Sequence, residues 1–253
     1  SGAAGNALGG PAGAFVATIL GAEFGKVVSK ETKLDIVVTP AVTIIVGVLV
    51  GSVVGPAVNA FMTATGELIM YATTLQPFLM GIIVSVVVGM VLTLPISSAA
   101  LCMMLSLSGI AGGAAVAGCC AQMVGFAVMS FKENGWGGLA AQGLGTSMLQ
   151  VPNIVRNWKI WIPPTLVSAI TGPISTMVFK MECTPMGAGM GTSGLVGQFG
   201  TLEAMEAAGK GGAQMWIAIL LVHFIIPAVL TPIVCNILRK IGWIKEGDLK
   251  LDL

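Results

Sequence analysis

The sequence has few charged side chains. Only 9% of its 253 residues are Asp, Glu, Lys or Arg, while 55% are hydrophobic. A soluble domain of this length could not cover its surface with so few polar side chains. Twelve Lys and Arg against eleven Asp and Glu give a net charge of +1, which excludes the basic surface that a nucleic-acid backbone requires. We therefore expect the lipid bilayer to surround this chain and nucleic acid not to be a partner.

Histidine and paired cysteines are also scarce. His223 is the one histidine, and the five cysteines form no CxxC pair, with four of them inside apolar stretches. Such cysteines are typical of small buried residues rather than of a disulfide framework or a zinc site. A lone histidine with no Asp, Glu or Cys beside it supplies neither a nucleophile–base pair nor a metal cluster. We therefore expect no enzyme, no metal and no cofactor.

Long runs without charge cover most of the chain. The longest, Leu68 to Phe131, is about three membrane thicknesses of helix at about 1.5 Å per residue. These runs predict an all-α, polytopic helical membrane protein with roughly seven or eight transmembrane helices, folded as a single transmembrane domain over residues 1–253. No positively charged segment precedes a short apolar run, so no signal peptide is predicted.

Basic residues indicate how the C-terminal end is oriented. The last and most hydrophobic run stops at Arg239 and Lys240, and Lys245 and Lys250 follow. Positive charge beside a membrane span favours the cytoplasmic side. We therefore expect residues 240–253 to form a cytoplasmic tail.

One apolar run carries a stripe of glycines. Gly47, Gly51 and Gly55 recur every four residues, so they lie on one face of a helix. A face of small residues packs closely against another helix, either within one protomer or between two protomers. A homodimer is therefore one of two interpretations of this stripe.

A short motif occurs twice. Residues 93–98 read TLPISS, residues 171–176 read TGPIST, and the same register aligns Gly109 and Gly113 with Gly187 and Gly191. The chain thus reads as two repeat-like halves, approximately 36–130 and 147–239. Because proline removes a backbone donor, paired interruptions of this kind predict broken helices that line a transporter's binding site. Two ordinary proline kinks are the alternative.

A glycine-rich segment, residues 182–194, follows the second copy. It contains GxGxxG at Gly189, Gly191 and Gly194. A dinucleotide site would also need a preceding strand and a βαβ unit, which the apolar neighbours exclude. We predict a re-entrant loop that presents backbone N–H and C=O groups to a solute. An exposed flexible loop is the alternative.

Ionisable groups in or beside an apolar run are costly and are usually kept for a function. Glu182 is favoured because it opens the glycine-rich segment. For His223 a hydrogen bond between helices is an equal alternative, and for Glu67 a position at the membrane interface facing water. With the neutral donors and acceptors nearby, the candidate solute-binding residues are Glu182, His223, Glu67, Gln76, Ser97, Ser98, Ser175, Thr176, Thr184, Gly189 and Gly191.

Five short segments together resemble a known family. They are residues 65–68, 74–77, 94–100, 172–176 and 187–194. This combination resembles the IIC-like integral membrane proteins of bacteria that include perfringolysin O regulator-like proteins. The resemblance covers most of the chain from about Ile36 onward.

The resemblance implies a bacterial plasma-membrane protein related to the sugar-translocating IIC subunit of the phosphoenolpyruvate-dependent phosphotransferase system. In that system separate IIA and IIB parts hold the phosphorylated His or Cys. This chain has no such soluble domain, so cytoplasmic phosphotransferase components are implied partners. We expect a permease that moves a small polar solute, such as a sugar, by alternating access. The alternative is a membrane sensor or regulator without transport activity.

Overall fold

The computed structural model describes residues 17–29, 35–73 and 75–251. These residues form helices and no β-strand, with one isolated bridge between Gly109 and Cys183. The predicted all-α class is therefore confirmed for the described part of the chain. In chain order the α-helices are α1 (17–28), α2 (Asp35–Thr73), α3 (Pro77–Thr93), α4 (Ser98–Met104), α5 (Gly109–Met129), α6 (Phe131–Ala140), α7 (Val151–Arg156), α8 (Ile162–Pro173), α9 (Pro185–Ala188), α10 (Val196–Ala207), α11 (Ala213–Ala218) and α12 (Ile226–Lys240).

Three helices are long and apolar enough to cross a membrane. Among the described residues these are Val38–Ala57, Gly109–Met129 and Ala213–Lys240, and the apolar helix Pro77–Thr93 is shorter. Several spans in one chain make a polytopic helical protein, as predicted. The number of roughly seven or eight spans stays a prediction.

The chain divides into two compact units, Ser1–Glu67 and Leu68–Leu253. In the first unit, Gly47, Gly51 and Gly55 are buried on α2, so the predicted glycine face is covered within this single chain. On α1, Gly25 lies so close to Thr43 that a Cβ on Gly25 would overlap the threonine hydroxyl. Small residues thus permit close helix packing in this unit. A homodimer through the glycine stripe stays a prediction.

In the second unit α3, α5, α8 and α12 form the core. Glycines allow their backbones to approach closely, because a Cβ on Gly89 of α3 would lie 2.8 Å from the carbonyl oxygen of Gly118 of α5. All five cysteines are free and buried, and Cys119 and Cys120 lie on α5 in this core. This agrees with their interpretation as small buried residues.

The two copies of the repeated motif differ in conformation. The helix α3 ends at Thr93, and Leu94 is extended, as expected for a residue before proline. The second copy stays helical, because α8 continues through Pro173 into a π-helical turn, Ile174–Val178. Proline has no backbone N–H to donate, and a wider π-helical turn compensates for this missing hydrogen bond. Only the first copy is therefore a break in a helix.

The predicted tail is attached to the helices over its described residues. The backbone N–H of Leu249 donates to Glu133 Oε2 at 3.0 Å, and that of Leu251 donates to Asn134 Oδ1 at 2.8 Å. Leu249 itself is fully buried. The cytoplasmic orientation of this segment stays a prediction.

Candidate functional site

The break after α3 and the glycine-rich segment pack against each other. Ser98 Oγ donates a hydrogen bond of 2.6 Å to the carbonyl oxygen of Gly189. The backbone N–H of Cys183 donates to the carbonyl oxygen of Gly109 at 3.2 Å. A Cβ on Gly189 would lie 2.5 Å from the Ser98 carbonyl oxygen, so only glycine fits there. Gly187 to Gly189 are buried. The middle of the glycine-rich segment is thus enclosed by protein, whereas Met186 is 56% exposed and Gly194 is also exposed. The re-entrant loop stays a prediction, and so does its exposed-loop alternative.

A cavity of about 180 Å³ lies at this junction. This volume is below the range of about 300–1,000 Å³ that is typical of small-molecule sites. Hydroxyl groups of Ser97, Ser98, Thr146 and Ser193 belong to its lining. We call it the loop cavity, and its lining residues are Leu92, Ile96, Ser97, Ser98, Ala99, Gly145, Thr146, Met148, Met190 and Ser193.

A cluster of buried neutral side chains adjoins the loop cavity. Next to the lining residues Leu92 and Thr146, Thr93 Oγ1 lies 2.9 Å from Ser147 Oγ and donates at 3.4 Å to Gln122 Oε1. The same oxygen accepts from Trp161 Nε1 at 3.1 Å, and Gln122 Nε2 donates to Thr165 Oγ1 at 3.2 Å. We call this set the polar cluster, which consists of Thr93, Gln122, Ser147, Trp161 and Thr165.

The polar cluster extends to a second cavity of about 220 Å³, in whose lining Trp161 and Thr165 take part. The cluster therefore lies between two cavities, with Gln122 of α5 at its centre. Neither cavity is lined by an ionisable side chain among the described residues. The loop cavity, with its hydroxyl-bearing residues, is suited to a neutral solute with hydroxyl groups, whereas the surface of the second cavity is apolar. The second cavity is lined by Met90, Trp158, Trp161, Ile162, Thr165 and Leu166.

Three residues predicted for the site, Ser97, Ser98 and Gly189, lie at the loop cavity or contact its lining, whereas Thr184 and Gly191 have other contacts. Ser97 and Ser98 line this cavity, and Gly189 contacts Ser98. Ser97 also caps α4 by accepting from the backbone N–H of Ala100 at 3.2 Å. Thr184 caps α9, and Gly191, with a φ of 56°, packs against Cys119.

Two further predicted residues join helices. Ser175 Oγ donates to the carbonyl oxygen of Gly113 on α5 at 2.8 Å, and Thr176 Oγ1 donates to that of Pro77 on α3 at 2.8 Å. These hydroxyls already donate to neighbouring helices, and both residues are buried. A role in solute binding stays a prediction for them.

The three ionisable candidates Glu182, His223 and Glu67, together with the neutral candidate Gln76, are absent from the lining of both cavities. Glu182 forms an ion pair of 2.5 Å with Lys210, and Glu67 and Gln76 are exposed. His223 is fully buried, and its Nδ1 lies 3.2 Å from Gln198 Nε2, which is the helix–helix hydrogen bond foreseen as its alternative. Their part in solute binding stays a prediction.

Sequence patterns alone did not identify Gln122, the central residue of the polar cluster, as a candidate. Gln122 is the one side chain with an amide inside the apolar helix Gly109–Met129, and a polar group at such a position marks a functional or packing contact. Ser147 and Thr165 carry no comparable signal, because hydroxyl groups are common in membrane helices. Their convergence on Gln122 depends on the tertiary fold.

The contact between the break and the glycine-rich segment gives a first prediction. Ser98→Ala removes the donor for the Gly189 carbonyl, so we expect the protein to lose about 1–3 kcal/mol of stability. The control is Ser52→Ala, because Ser52 is exposed and bonds only within its own helix, to the Leu49 carbonyl at 2.8 Å. Thermal unfolding of both detergent-purified variants checks the prediction. Equal unfolding temperatures would contradict it.

The apolar spans and the helices packed around a neutral polar cluster define a polytopic helical membrane protein. The family model described as Phosphotransferase system, EIIC matches residues 1–251. The chain belongs to the EIIC family of the phosphotransferase system. No curated protein and no solved structure matches it.

Family membership confirms the resemblance to IIC-like proteins and identifies a membrane sugar-transport permease in general terms. EIIC domains are permeases and are generally not catalytic on their own. The sensor alternative has no support, and the closer relationship to perfringolysin O regulator-like proteins stays a prediction.

Proposed function

We propose that the protein carries a small neutral sugar across the bacterial plasma membrane through the polar cluster, by alternating access. The observation that carries this proposal is the position of Gln122, which is fully buried and links Thr93, Trp161 and Thr165 between two cavities. A buried amide in an apolar helix is costly unless its groups are bonded. A transported sugar can supply the same bonds.

Sugar hydroxyls match the chemistry of the polar cluster. Each hydroxyl group both donates and accepts hydrogen bonds, and so does the Gln122 amide. Trp161 adds an indole N–H beside an apolar ring. A charged solute would leave an uncompensated charge among these neutral groups, which disfavours organic acids and metal ions as cargo.

The closed arrangement of the polar cluster supports the proposal of alternating access. In the described state its side chains bond to one another, with 2.9 Å between Thr93 Oγ1 and Ser147 Oγ and 3.1 Å from Trp161 Nε1 to Gln122 Oε1. A sugar that passes from one cavity to the other must exchange these bonds for its own hydroxyl groups. Because Ser147 and Thr93 lie on separate elements, this exchange requires the Ser147 turn to move relative to α3.

Coupling to phosphorylation is part of the proposal. The family membership supports separate cytoplasmic phosphotransferase components as partners that phosphorylate the sugar after passage. A cytoplasmic C-terminus would place the tail, with Lys245 and Lys250, on the side where those components act.

The test replaces Gln122 by methionine, which keeps the length of the side chain but removes both amide groups. A thermal-shift screen with neutral monosaccharides first identifies a sugar that raises the unfolding temperature. Proteoliposomes then take up that sugar in radiolabelled form. We expect Gln122→Met to lower its binding affinity about ten-fold or more, since at least one buried hydrogen bond is lost.

The matched control is Gln214→Met, because Gln214 is exposed on α11. It should bind and transport the sugar as the unaltered protein does. Undiminished binding and uptake by a folded Gln122→Met variant would remove the polar cluster from the path. A screen in which neutral sugars have no effect but anions raise the unfolding temperature would contradict the choice of solute.

A further inference from the structure

The tail is bound at residues 249–251 through its backbone. The side chain of Asn134 accepts from the N–H of Leu251 at 2.8 Å and donates to the carbonyl oxygen of Leu249 at 2.8 Å. Asn153 donates to the carbonyl oxygen of Lys250 at 2.9 Å. Leu249 and Leu251 are buried, while Lys250 between them is exposed. We call residues 249–251 the strap, because amide side chains of α6 and α7 hold its main chain.

The strap is also bonded to the turn that closes the polar cluster. This turn, Ser147–Gln150, is a short 3₁₀-helix that we call the Ser147 turn. At its start, Ser147 Oγ lies 2.9 Å from Thr93 Oγ1 of the polar cluster. At its end, Gln150 Nε2 donates to the carbonyl oxygen of Leu249 at 3.1 Å. One turn of helix therefore joins the strap to the polar cluster.

The side chain of Gln150 is the link between the two, and it is fully buried. Its Nε2 also donates to Gln142 Oε1 at 2.9 Å, and its Oε1 accepts from Asn153 Nδ2 at 2.9 Å. A buried amide that loses a partner costs stability. A shift of the Ser147 turn away from the polar cluster displaces Gln150 from Leu249 as well. Opening of the turn and release of the strap are therefore coupled.

Open space adjoins the Ser147 turn. Met148 in this turn lines the loop cavity and also a further cavity of about 320 Å³, to whose lining Lys250 and Leu251 of the strap belong. A side chain next to a cavity has fewer van der Waals partners than one in a packed core. Space for a displacement of the turn is therefore present, and the hydrogen bonds to the strap carry part of its restraint.

We propose that the strap is an autoinhibitory contact, which holds the Ser147 turn closed and whose release favours opening of the polar cluster. The proposal rests on the proposed function in that it takes the Ser147 turn as the element that moves. A short segment held by a few hydrogen bonds and two leucines opens locally at a lower cost than the packed helices. The strap thereby sets how often the polar cluster opens.

The experiment measures opening at position 147 in the full chain, reconstituted in lipid nanodiscs without sugar. Ser147→Cys places a thiol at a fully buried position, and the native cysteines are buried as well. A water-soluble maleimide should react there only when the turn opens, and mass spectrometry gives the rate at each cysteine. Adding Asn134→Ala removes two hydrogen bonds to the strap. We expect the reaction at position 147 to become about ten-fold faster.

Two further variants, each combined with Ser147→Cys, test the strap itself. Leu249→Ser removes a buried leucine and should accelerate the reaction in the same way. Lys250→Gln is the matched control, because its side chain is exposed and Asn153 binds its carbonyl oxygen. This control should leave the rate unchanged. The native cysteines of α5 should stay unmodified in every variant, because the opening is confined to the turn.

The coupling must also act in the reverse direction. A dye attached at position 147 keeps the turn from closing, so it should release the strap. We expect the backbone amide of Leu251 to exchange hydrogen about ten-fold faster in labelled than in unlabelled Ser147→Cys protein. This measurement needs no substitution in or against the strap, so it decides the question even if Asn134→Ala and Leu249→Ser do not fold.

An unchanged reaction rate in a folded Asn134→Ala or Leu249→Ser variant overturns the proposal. Modification of Cys119 and Cys120 together with position 147 overturns it as well, since it would show a general loosening of the core. So does a Leu251 amide that exchanges equally fast with and without the dye. Because these experiments contain no sugar, a protein that fails to transport sugar can still show the coupling, and an uncoupled strap leaves the proposed sugar site standing.

Discussion

Gly118→Ala is expected to destabilise the protein by about 3 kcal/mol or more, at the upper end of the cost of overpacking a core. The added methyl group would overlap the backbone of Ser85, whose Cα would lie 2.7 Å away. Backbone atoms cannot rotate aside as the end of a flexible side chain can. The helices α3 and α5 would have to separate, and every contact along their interface would loosen.

The matched control for this substitution is Gly137→Ala. Gly137 lies on α6 with nothing within 4 Å of an added Cβ, so alanine should be neutral or slightly stabilising through helix propensity. Thermal unfolding of both variants in the same detergent measures the difference. If both variants unfold at the temperature of the unaltered protein, close packing of α3 on α5 is not what holds this core together.

The second large effect is expected from Arg239→Met. Arg239 Nη2 pairs with Glu133 Oε1 at 2.6 Å, and their side chains are 19% and 11% exposed. Removing the arginine leaves a largely buried carboxylate without its counter-charge, which typically costs about 3–5 kcal/mol. Glu133 Oε2 also accepts from the backbone N–H of Leu249, so the attachment of the tail should weaken together with the ion pair.

Hydrogen exchange separates these two consequences. In Arg239→Met the amides of Leu249 and Leu251 should exchange faster, while amides in α5 keep their protection. The double variant Glu133→Gln, Arg239→Met should recover part of the lost stability, because no unpaired charge remains. Tail amides that exchange at the original rate in Arg239→Met would contradict the role of Glu133 as an attachment point.

Composition and hydropathy were enough to predict the class of fold. A chain with so little charge has to place its helices in a bilayer, and the spans Gly109–Met129 and Ala213–Lys240 coincide with apolar runs of the sequence, apart from the basic residues Arg239 and Lys240 at the end of the second. The break at Pro95 was also predictable, because a proline disfavours the helical conformation for the residue before it. The short motifs were sufficient to indicate the family.

The site was only partly predictable, since it depends on contacts between distant segments. Ser97 and Ser98 were found through the proline beside them, but Gln122, Ser147 and Thr165 come together only when α5, the turn after Gly145 and α8 are packed. For the charged candidates a part in solute binding stays a prediction. Glu182 forms an ion pair with Lys210, which lies 28 residues later in the sequence. This ion pair offsets the energetic cost of partly burying the Glu182 carboxylate.

The similarity of the two proline motifs did not predict their different backbones. Pro95 follows a leucine at the end of α3, whereas Pro173 follows Gly172, and α8 continues through it into a π turn. Six similar residues can therefore end one helix and widen another. The surrounding packing decides between these outcomes, and this packing cannot be predicted from a single sequence.

The burial of all five cysteines has a practical consequence for measuring motion in this permease. No native thiol is accessible in the folded protein, so a maleimide dye or spin label should react only with a cysteine that is introduced at an exposed position. Pairs of such labels on α11 and on the turn before α7 could be attached without first removing the native cysteines. The distances between them would report relative motion of these two segments, with the native cysteines in place and the core of α5 unaltered.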